Sequence, residues 1–153
     1  MISTVALHEL RRLLAAEHAE PHNILGMHEI KHKMVPSVAV RAFIPQAEHI
    51  AVVDDTDKKG GTVYELVKIH ADGFFEAVIA REKWFKYKLD IAFQNGDRLQ
   101  TYDPYSFVPT ISELDRYLFG EGTHYEIYDK LGAHHMAIDG VDGVSFTVWA
   151  PNA

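Results

Sequence analysis

The feature that most constrains the fold of this chain is a series of short segments in which apolar and polar residues alternate. Six such segments follow one another at near-regular spacing, at residues 37–44, 49–54, 62–70, 74–80, 84–93 and 97–103. Alternation with a period of two gives a β-strand one face for a core and one face for water. Six short strands at this spacing predict an antiparallel, immunoglobulin-like β-sandwich within residues 21–103.

Two dipeptides between these segments favour tight turns. Asn95-Gly96 lies between the last two segments and predicts a hairpin with a type I′ turn, because both residue types tolerate positive φ angles. Asp72-Gly73 is a weaker signal of the same kind.

The segment ahead of the sandwich, residues 1–20, is predicted to form a short amphipathic helix. Within residues 4–18, Leu7, Leu10, Leu13 and Leu14 recur at spacings of three and four, and Ser3 is the candidate N-cap. Pro21 is predicted to end the helix.

After residue 103 the pattern changes. Residues 104–139 contain two proline breaks, a helix with Ser112 as its predicted N-cap and a second short helix ending near Gly132. The segment is too rich in aromatic residues for a disordered spacer, so it predicts a partly helical linker.

The last segment, residues 140–153, predicts the first strand of a second, truncated sandwich module. Residues 144–153 resemble residues 38–47, and in both a strand leads to a proline followed by a polar residue and an alanine. We therefore expect further domains to follow this chain in the intact protein.

Composition limits the partners and the location. A chain of 153 residues with 47% hydrophobic and 24% charged residues suits one globular domain. The net charge of −7 argues against a nucleic-acid partner, which needs clustered Lys and Arg. No signal peptide and no run of ~18 apolar residues is present, which predicts no membrane partner. The absence of cysteine fits a cytoplasmic location.

The segment 84–93 supplies the candidate binding residues. Its odd-numbered positions are apolar, whereas Trp84, Lys86 and Lys88 share the even-numbered, polar face. An exposed indole offers a flat apolar plate for the C–H face of a sugar ring, and the two lysines can donate to sugar hydroxyls. The alternative is that Trp84 packs under the N-terminal helix or against another domain.

No motif for catalysis, metal binding or cofactor binding is found. The ten histidines lack the spacing of a zinc site, and no carboxylate pair stands in a recognisable catalytic motif. Phosphate-binding and dinucleotide-binding loops are also absent from the sequence. We therefore predict no catalytic residue, no metal and no cofactor for this segment.

Four stretches together resemble the amino-terminal part of bacterial glycogen branching enzymes, the 1,4-α-glucan branching enzymes. They are "HAEPHNILGMH" (18–28), "VRAFIPQA" (40–47), "DPYSFVPTISELDRYLFGEGTHYEIYDKLGAH" (103–134) and "GVDGVSFTVWAPNA" (140–153). The third stretch is long and specific, and the resemblance spans nearly the whole chain.

The resemblance implies a sandwich module of the starch-binding type that precedes a catalytic (β/α)₈ barrel. Enzymes of this family transfer an α-1,4-glucan segment to a 6-hydroxyl and so form α-1,6 branches. A barrel of ~250 residues does not fit in this chain, and no catalytic residue of the family maps onto it. The expected partners are an α-glucan, either glycogen or a maltooligosaccharide, and the downstream domains.

The sequence leaves three roles open for this chain. The module assists glucan binding and the choice of transferred chain length, or it is a structural spacer that positions the barrel. The third alternative, a related debranching or trehalose-forming enzyme, is disfavoured by the third stretch.

Overall fold

The computed structural model describes residues 3–56 and 61–150. The described residues form two compact units, one ending at Ser106 and one beginning at Phe107. These residues contain two α-helices, α1 (Leu7–Leu14) and α2 (Glu113–Gly120), with short 3₁₀ turns at Pro21–Asn23, Pro104–Ser106 and Ile127–Asp129. The strands are β1 Gly26–His32, β2 Val35–Phe43, β3 Ala47–Asp54, β4 Val63–Glu65, β5 Val67–His70, β6 Phe74–Ile79, β7 Tyr87–Phe93, β8 Arg98–Tyr102, β9 Gly132–Ile138 and β10 Val141–Thr147.

The first unit is an antiparallel β-sandwich, as the alternating segments predicted. Its first sheet has the strand order β1-β2-β6-β5, and its second sheet has the order β4-β3-β7-β8. One apolar core joins the two sheets, with Val38, Val40 and Phe75 from the first and Ile50 and Leu89 from the second. Tyr87, Leu89 and Ile91 of β7 are buried and its even-numbered residues are partly exposed, which confirms the predicted faces for this part of the strand.

The N-terminal helix packs on the outer face of the first sheet. Leu10 and Leu13 join a second apolar cluster with Ile24, Leu25 and Phe74. The helix begins later than predicted, and its N-cap is Ala6 without a side-chain cap. The prediction that Ser3 caps it is wrong, because Ser3 Oγ accepts a hydrogen bond from the Val5 backbone N–H ahead of the helix (3.1 Å).

A buried ion pair lies beneath the N-terminal segment on the same face of the first sheet. Arg41 Nε donates to Glu76 Oε1 (2.9 Å), and these residues face each other across β2 and β6. Arg41 also donates to the Ile24 carbonyl (3.2 Å) and to Thr4 Oγ1 (2.8 Å). The Thr4 backbone N–H donates to Glu76 Oε2 (3.0 Å), so the pair fixes the start of the chain to the sandwich.

Three strands differ most from the sequence prediction. Strand β1 was not predicted; it joins β2 through Lys33 and Met34, which both have positive φ although neither is a turn-forming residue type. The predicted strand 62–70 is divided at Leu66, and its halves pair in different sheets. The predicted strand 84–93 begins only at Tyr87.

The turn between β7 and β8 also differs from the prediction. Among its residues only Gly96 has a positive φ (90°), and Gly96 N donates to the Phe93 carbonyl (3.0 Å). Phe93 N donates to the Asp97 carbonyl (2.9 Å), so the loop has three residues and a glycine bulge. The type I′ turn predicted at Asn95-Gly96 is therefore wrong.

The second unit consists of α2, one 3₁₀ turn and the β9–β10 hairpin. Ser112 caps α2 as predicted: Asp115 N donates to Ser112 Oγ (3.1 Å), and Ser112 N donates to Asp115 Oδ2 (2.9 Å). The partner of β10 is β9, a strand that the sequence analysis placed in the linker. The predicted boundary at residues 139 and 140 stays a prediction, and residues 151–153 of the predicted last strand lie outside the described residues.

Both α-helices have eight residues, and no helix among the described residues is long and apolar enough to cross a membrane.

Candidate functional site

The candidate site lies on the outer face of the second sheet, where Tyr102 of β8 pairs with Lys88 of β7. Lys88 Nζ lies 4.9 Å from the centre of the Tyr102 ring, and Lys86 Nζ lies 5.3 Å from it. An ammonium group at such a distance is attracted to the electron-rich face of the ring. We call Asp55, Lys86, Lys88 and Tyr102 the Tyr102 cluster.

Asp55 connects the members of this cluster. Tyr102 Oη donates to Asp55 Oδ2 (2.9 Å), and Lys88 Nζ lies 3.2 Å from Asp55 Oδ1. Burial alone would raise the pKa of Asp55, but the hydrogen bonds from Tyr102 and Lys88 outweigh burial and lower it. The hydrogen bond to Asp55 also raises the pKa of Lys88. Both groups are therefore charged at neutral pH.

A second ion pair borders the cluster on the same face. Arg98 donates to both carboxylate oxygens of Asp90, from Nε at 2.8 Å and from Nη2 at 2.6 Å. The hydrogen bond from Arg98 lowers the pKa of Asp90. The outer face of this sheet thus presents charged donors and acceptors held in place by one another.

Trp84 lies outside the strand, in the loop between β6 and β7. Its side chain is 43% exposed, and its backbone N–H donates to Glu29 Oε1 of β1 at 3.4 Å. Its predicted position on a strand face is wrong because β7 begins three residues later. The exposure that made Trp84 a candidate is nevertheless present.

The structure brings together two of the three predicted binding residues. Lys86 and Lys88 converge on the Tyr102 ring. The backbone N–H of Trp84 instead donates to Glu29, a residue of the other sheet. Sequence reasoning missed Tyr102 and Asp55. Tyr102 shares a face with Lys88 because the two residues are opposite each other in the β7–β8 hairpin, a register that the predicted type I′ turn did not indicate.

The arrangement suits reversible binding of a polyhydroxylated molecule. Lysine ammonium groups donate, the Asp55 carboxylate accepts, and the exposed indole of Trp84 supplies an apolar plate. Among residues 3–56 and 61–150, no three His, Asp or Glu side chains are grouped as a metal site would require.

Comparison with known proteins identifies the family. The model of the N-terminal domain of the alpha-1,4-glucan branching enzyme GlgB matches residues 6–105. A 1,4-alpha-glucan branching enzyme of Thermosynechococcus vestitus is 40% identical over 151 residues, which cover 98% of this chain and 19% of that protein. The enzyme of Cereibacter sphaeroides is 42% identical over 147 residues, 95% of this chain and 19% of the relative.

Solved structures give a weaker likeness. A pullulanase from Anoxybacillus sp. LM18-11, solved as a complex with maltotriose, aligns with a TM-score of 0.42 and 13% identity over 82% of this chain and 14% of that one. A likeness at this level adds nothing to the argument. The family match alone is decisive: this chain, which spans about a fifth of the length of the curated relatives it matches, belongs to the family of GlgB N-terminal domains.

Proposed function

We propose that this chain is a glucan-binding module of a glycogen branching enzyme. In this proposal the intact enzyme transfers an α-1,4-glucan segment to a 6-hydroxyl in the cytoplasm during glycogen synthesis. The module holds glucan near the catalytic domain and so influences the length of the transferred segment. No residue of this chain has a catalytic role in the proposal.

The Tyr102 cluster is the observation that carries the proposal. It joins two cations, a carboxylate and an aromatic ring on one partly exposed sheet face, and Trp84 stands exposed two residues before Lys86. Sugar rings have apolar C–H faces and a hydroxyl rim, so a site for them needs an aromatic plate beside donors and acceptors.

The test is retardation of the chain in native gels that contain glycogen. We expect the wild-type chain to be retarded, and Trp84→Ala and Tyr102→Ala to be retarded less. Tyr125→Ala is the matched control, since it removes an exposed aromatic ring from the second unit. The proposal loses its support if Trp84→Ala and Tyr102→Ala run like the control.

A second candidate function is supported by the second unit. Among its described residues no apolar side chain is buried, and its large apolar residues with more than half their surface exposed include Val108, Tyr125 and Phe146. Contiguous exposed apolar surface marks interaction sites. We infer that this unit can position the remaining domains of the enzyme, and dye binding and self-association are its measurable consequences.

A further inference from the structure

An open cleft of about 760 Å³ lies beside the β7–β8 hairpin, and no member of the Tyr102 cluster lines it. Gln46, from the turn between β2 and β3, lines one side, and Gln94 and Asp97 of the hairpin line another. The Gln94 backbone N–H donates to the Gln46 carbonyl (3.2 Å), which ties the two turns together. A backbone hydrogen bond therefore holds together the two turns that line the cleft.

The side-chain amides in the cleft differ in their hydrogen-bond partners. Asn95 Nδ2 donates to Asp97 Oδ2 (2.7 Å), and Asp97 N donates to Asn95 Oδ1 (3.1 Å), so this pair is occupied within the turn. The side-chain amides of Gln46 and Gln94 make no hydrogen bond to any residue that the structure describes, and both residues are exposed. Each leaves an acceptor oxygen and two donor hydrogens for a ligand.

The cleft also has an apolar surface. Phe93 packs against the sandwich core and is only half-buried, and Leu99 is 49% exposed. Both are odd-numbered residues of the hairpin and lie on the same face of the second sheet. Apolar surface beside a few polar groups is the usual composition of a small-ligand site.

The charged residues that line the cleft indicate which class of ligand it binds. Arg98 is engaged by Asp90 on both carboxylate oxygens, which leaves Asp97 as the remaining charge among the residues that line the cleft. A phosphate or carboxylate ligand would meet a carboxylate without a free cation, and its binding would be unfavourable. A neutral ligand with hydroxyl groups fits both the amides and the apolar surface.

We propose that this cleft is a second saccharide-binding site, which takes a neutral α-glucan segment. Sugar C–H faces pack on Phe93 and Leu99, and sugar hydroxyls bond to the amides of Gln46 and Gln94. The ligand class rests on the proposed function, whereas the site is separate from Trp84 and the Tyr102 cluster. A module with two such sites can hold two points of one glucan, or two glucans, at once.

The test is an amide NMR titration of the full 153-residue chain with maltohexaose. We expect saturable shifts at residues 46 and 93–99. The double variant Gln46→Ala/Gln94→Ala should weaken the affinity derived from these signals about fivefold, because two ligand hydrogen bonds are lost. Gln100→Ala is the matched control, since Gln100 is an exposed amide opposite Asp90 and does not line the cleft.

The outcomes separate this inference from the proposed function. Shifts confined to residues 84–88 and 102 would overturn the second site and leave the glucan-binding function standing. Shifts at neither surface would overturn both. Equal affinity of the double variant and Gln100→Ala at the cleft signals would also overturn the second site.

Discussion

Glu76 and Arg41 are buried as a pair, and each charge depends on the other. Burial alone would raise the pKa of Glu76, but hydrogen bonds from Thr4 and Arg41 outweigh it and lower the pKa below its ordinary value of 4.5. A carboxylate with a lowered pKa in the folded state stabilises the fold above its unfolded pKa. That contribution is lost as the pH falls through the folded pKa.

We therefore expect Glu76→Gln to destabilise the fold at pH 7 by about 3 kcal/mol, because Arg41 is left buried without its counter-charge. The variant should also lose less stability than the wild type between pH 6 and pH 3. Urea denaturation at several pH values measures both effects. Glu82→Gln, an exposed carboxylate, is the control, and a pH dependence of Glu76→Gln equal to that of the control would contradict this account.

The residues around Tyr102 show which side-chain directions the sequence predicts and which depend on a turn. The outward direction of Lys88 follows from alternation and agrees with its place in β7, whereas Lys86 precedes the strand. A two-residue type I′ turn at Asn95-Gly96 would have placed Asp103 opposite Lys88 and turned Tyr102 to the other face. The observed three-residue loop places Tyr102 opposite Lys88, so the candidate cluster depends on a turn type that Asn-Gly did not reveal.

At the scale of the elements, two glycines close hairpins with similar backbones and different surroundings. Gly73 has φ of 98°, and a Cβ there would lie 2.5 Å from Pro45 Cα and 2.6 Å from the Ile44 carbonyl oxygen. Gly96 has φ of 90°, and a Cβ there would meet nothing within 4 Å. The first turn is packed against a neighbouring turn, whereas the second is open.

We expect Gly73→Ala to cost about 3 kcal/mol, since it combines an unfavourable φ with a clash against backbone. Gly96→Ala should cost about 1 kcal/mol, because only the φ is unfavourable. Urea denaturation of both variants gives the difference. An equal decrease in the free energy of unfolding for both variants would mean that the close packing of Gly73 against residues 44 and 45 does not add to the cost of the substitution.

The elements that sequence analysis missed have identifiable causes. Strand β1 turns into β2 through Lys33 and Met34, which carry no turn signal, so nothing in the sequence marked that hairpin. The β9–β10 hairpin did carry a signal, because Asp139-Gly140 has the positive φ angles of a type I′ turn between two strands. The capping box at Ser112 was predictable, since it depends on residues three apart in sequence.

At the scale of the whole molecule, the sandwich follows from alternation, because successive residues of a strand point to opposite faces of its sheet and the apolar ones mark the buried face. Its division into two sheets does not, since the chain changes sheet within one predicted strand, at Leu66. The second unit differs from the sandwich in lacking buried apolar residues among those described. Apolar surface in contact with water raises the free energy of the folded chain, and a partner that covered this surface would remove that penalty.

We expect the 153-residue chain to bind the dye 1-anilinonaphthalene-8-sulfonate and to self-associate with rising concentration, because the second unit exposes apolar surface. Tyr125→Ser/Phe146→Ser should lower both signals. Val63→Ser/Val67→Ser is the control, since these exposed valines lie on the sandwich. A monomer with low dye binding, as measured by fluorescence and analytical ultracentrifugation, would contradict the positioning role.

The central claim is that the sandwich surface around Tyr102 and Trp84 holds α-glucan. The most direct measurement is the mobility of the wild-type chain, Trp84→Ala and Tyr102→Ala in native gels across a series of glycogen concentrations. The account predicts wild-type retardation that grows with glycogen and weakens about tenfold in each variant, as loss of an aromatic contact implies. A wild-type chain that migrates unchanged at every glycogen concentration would contradict it.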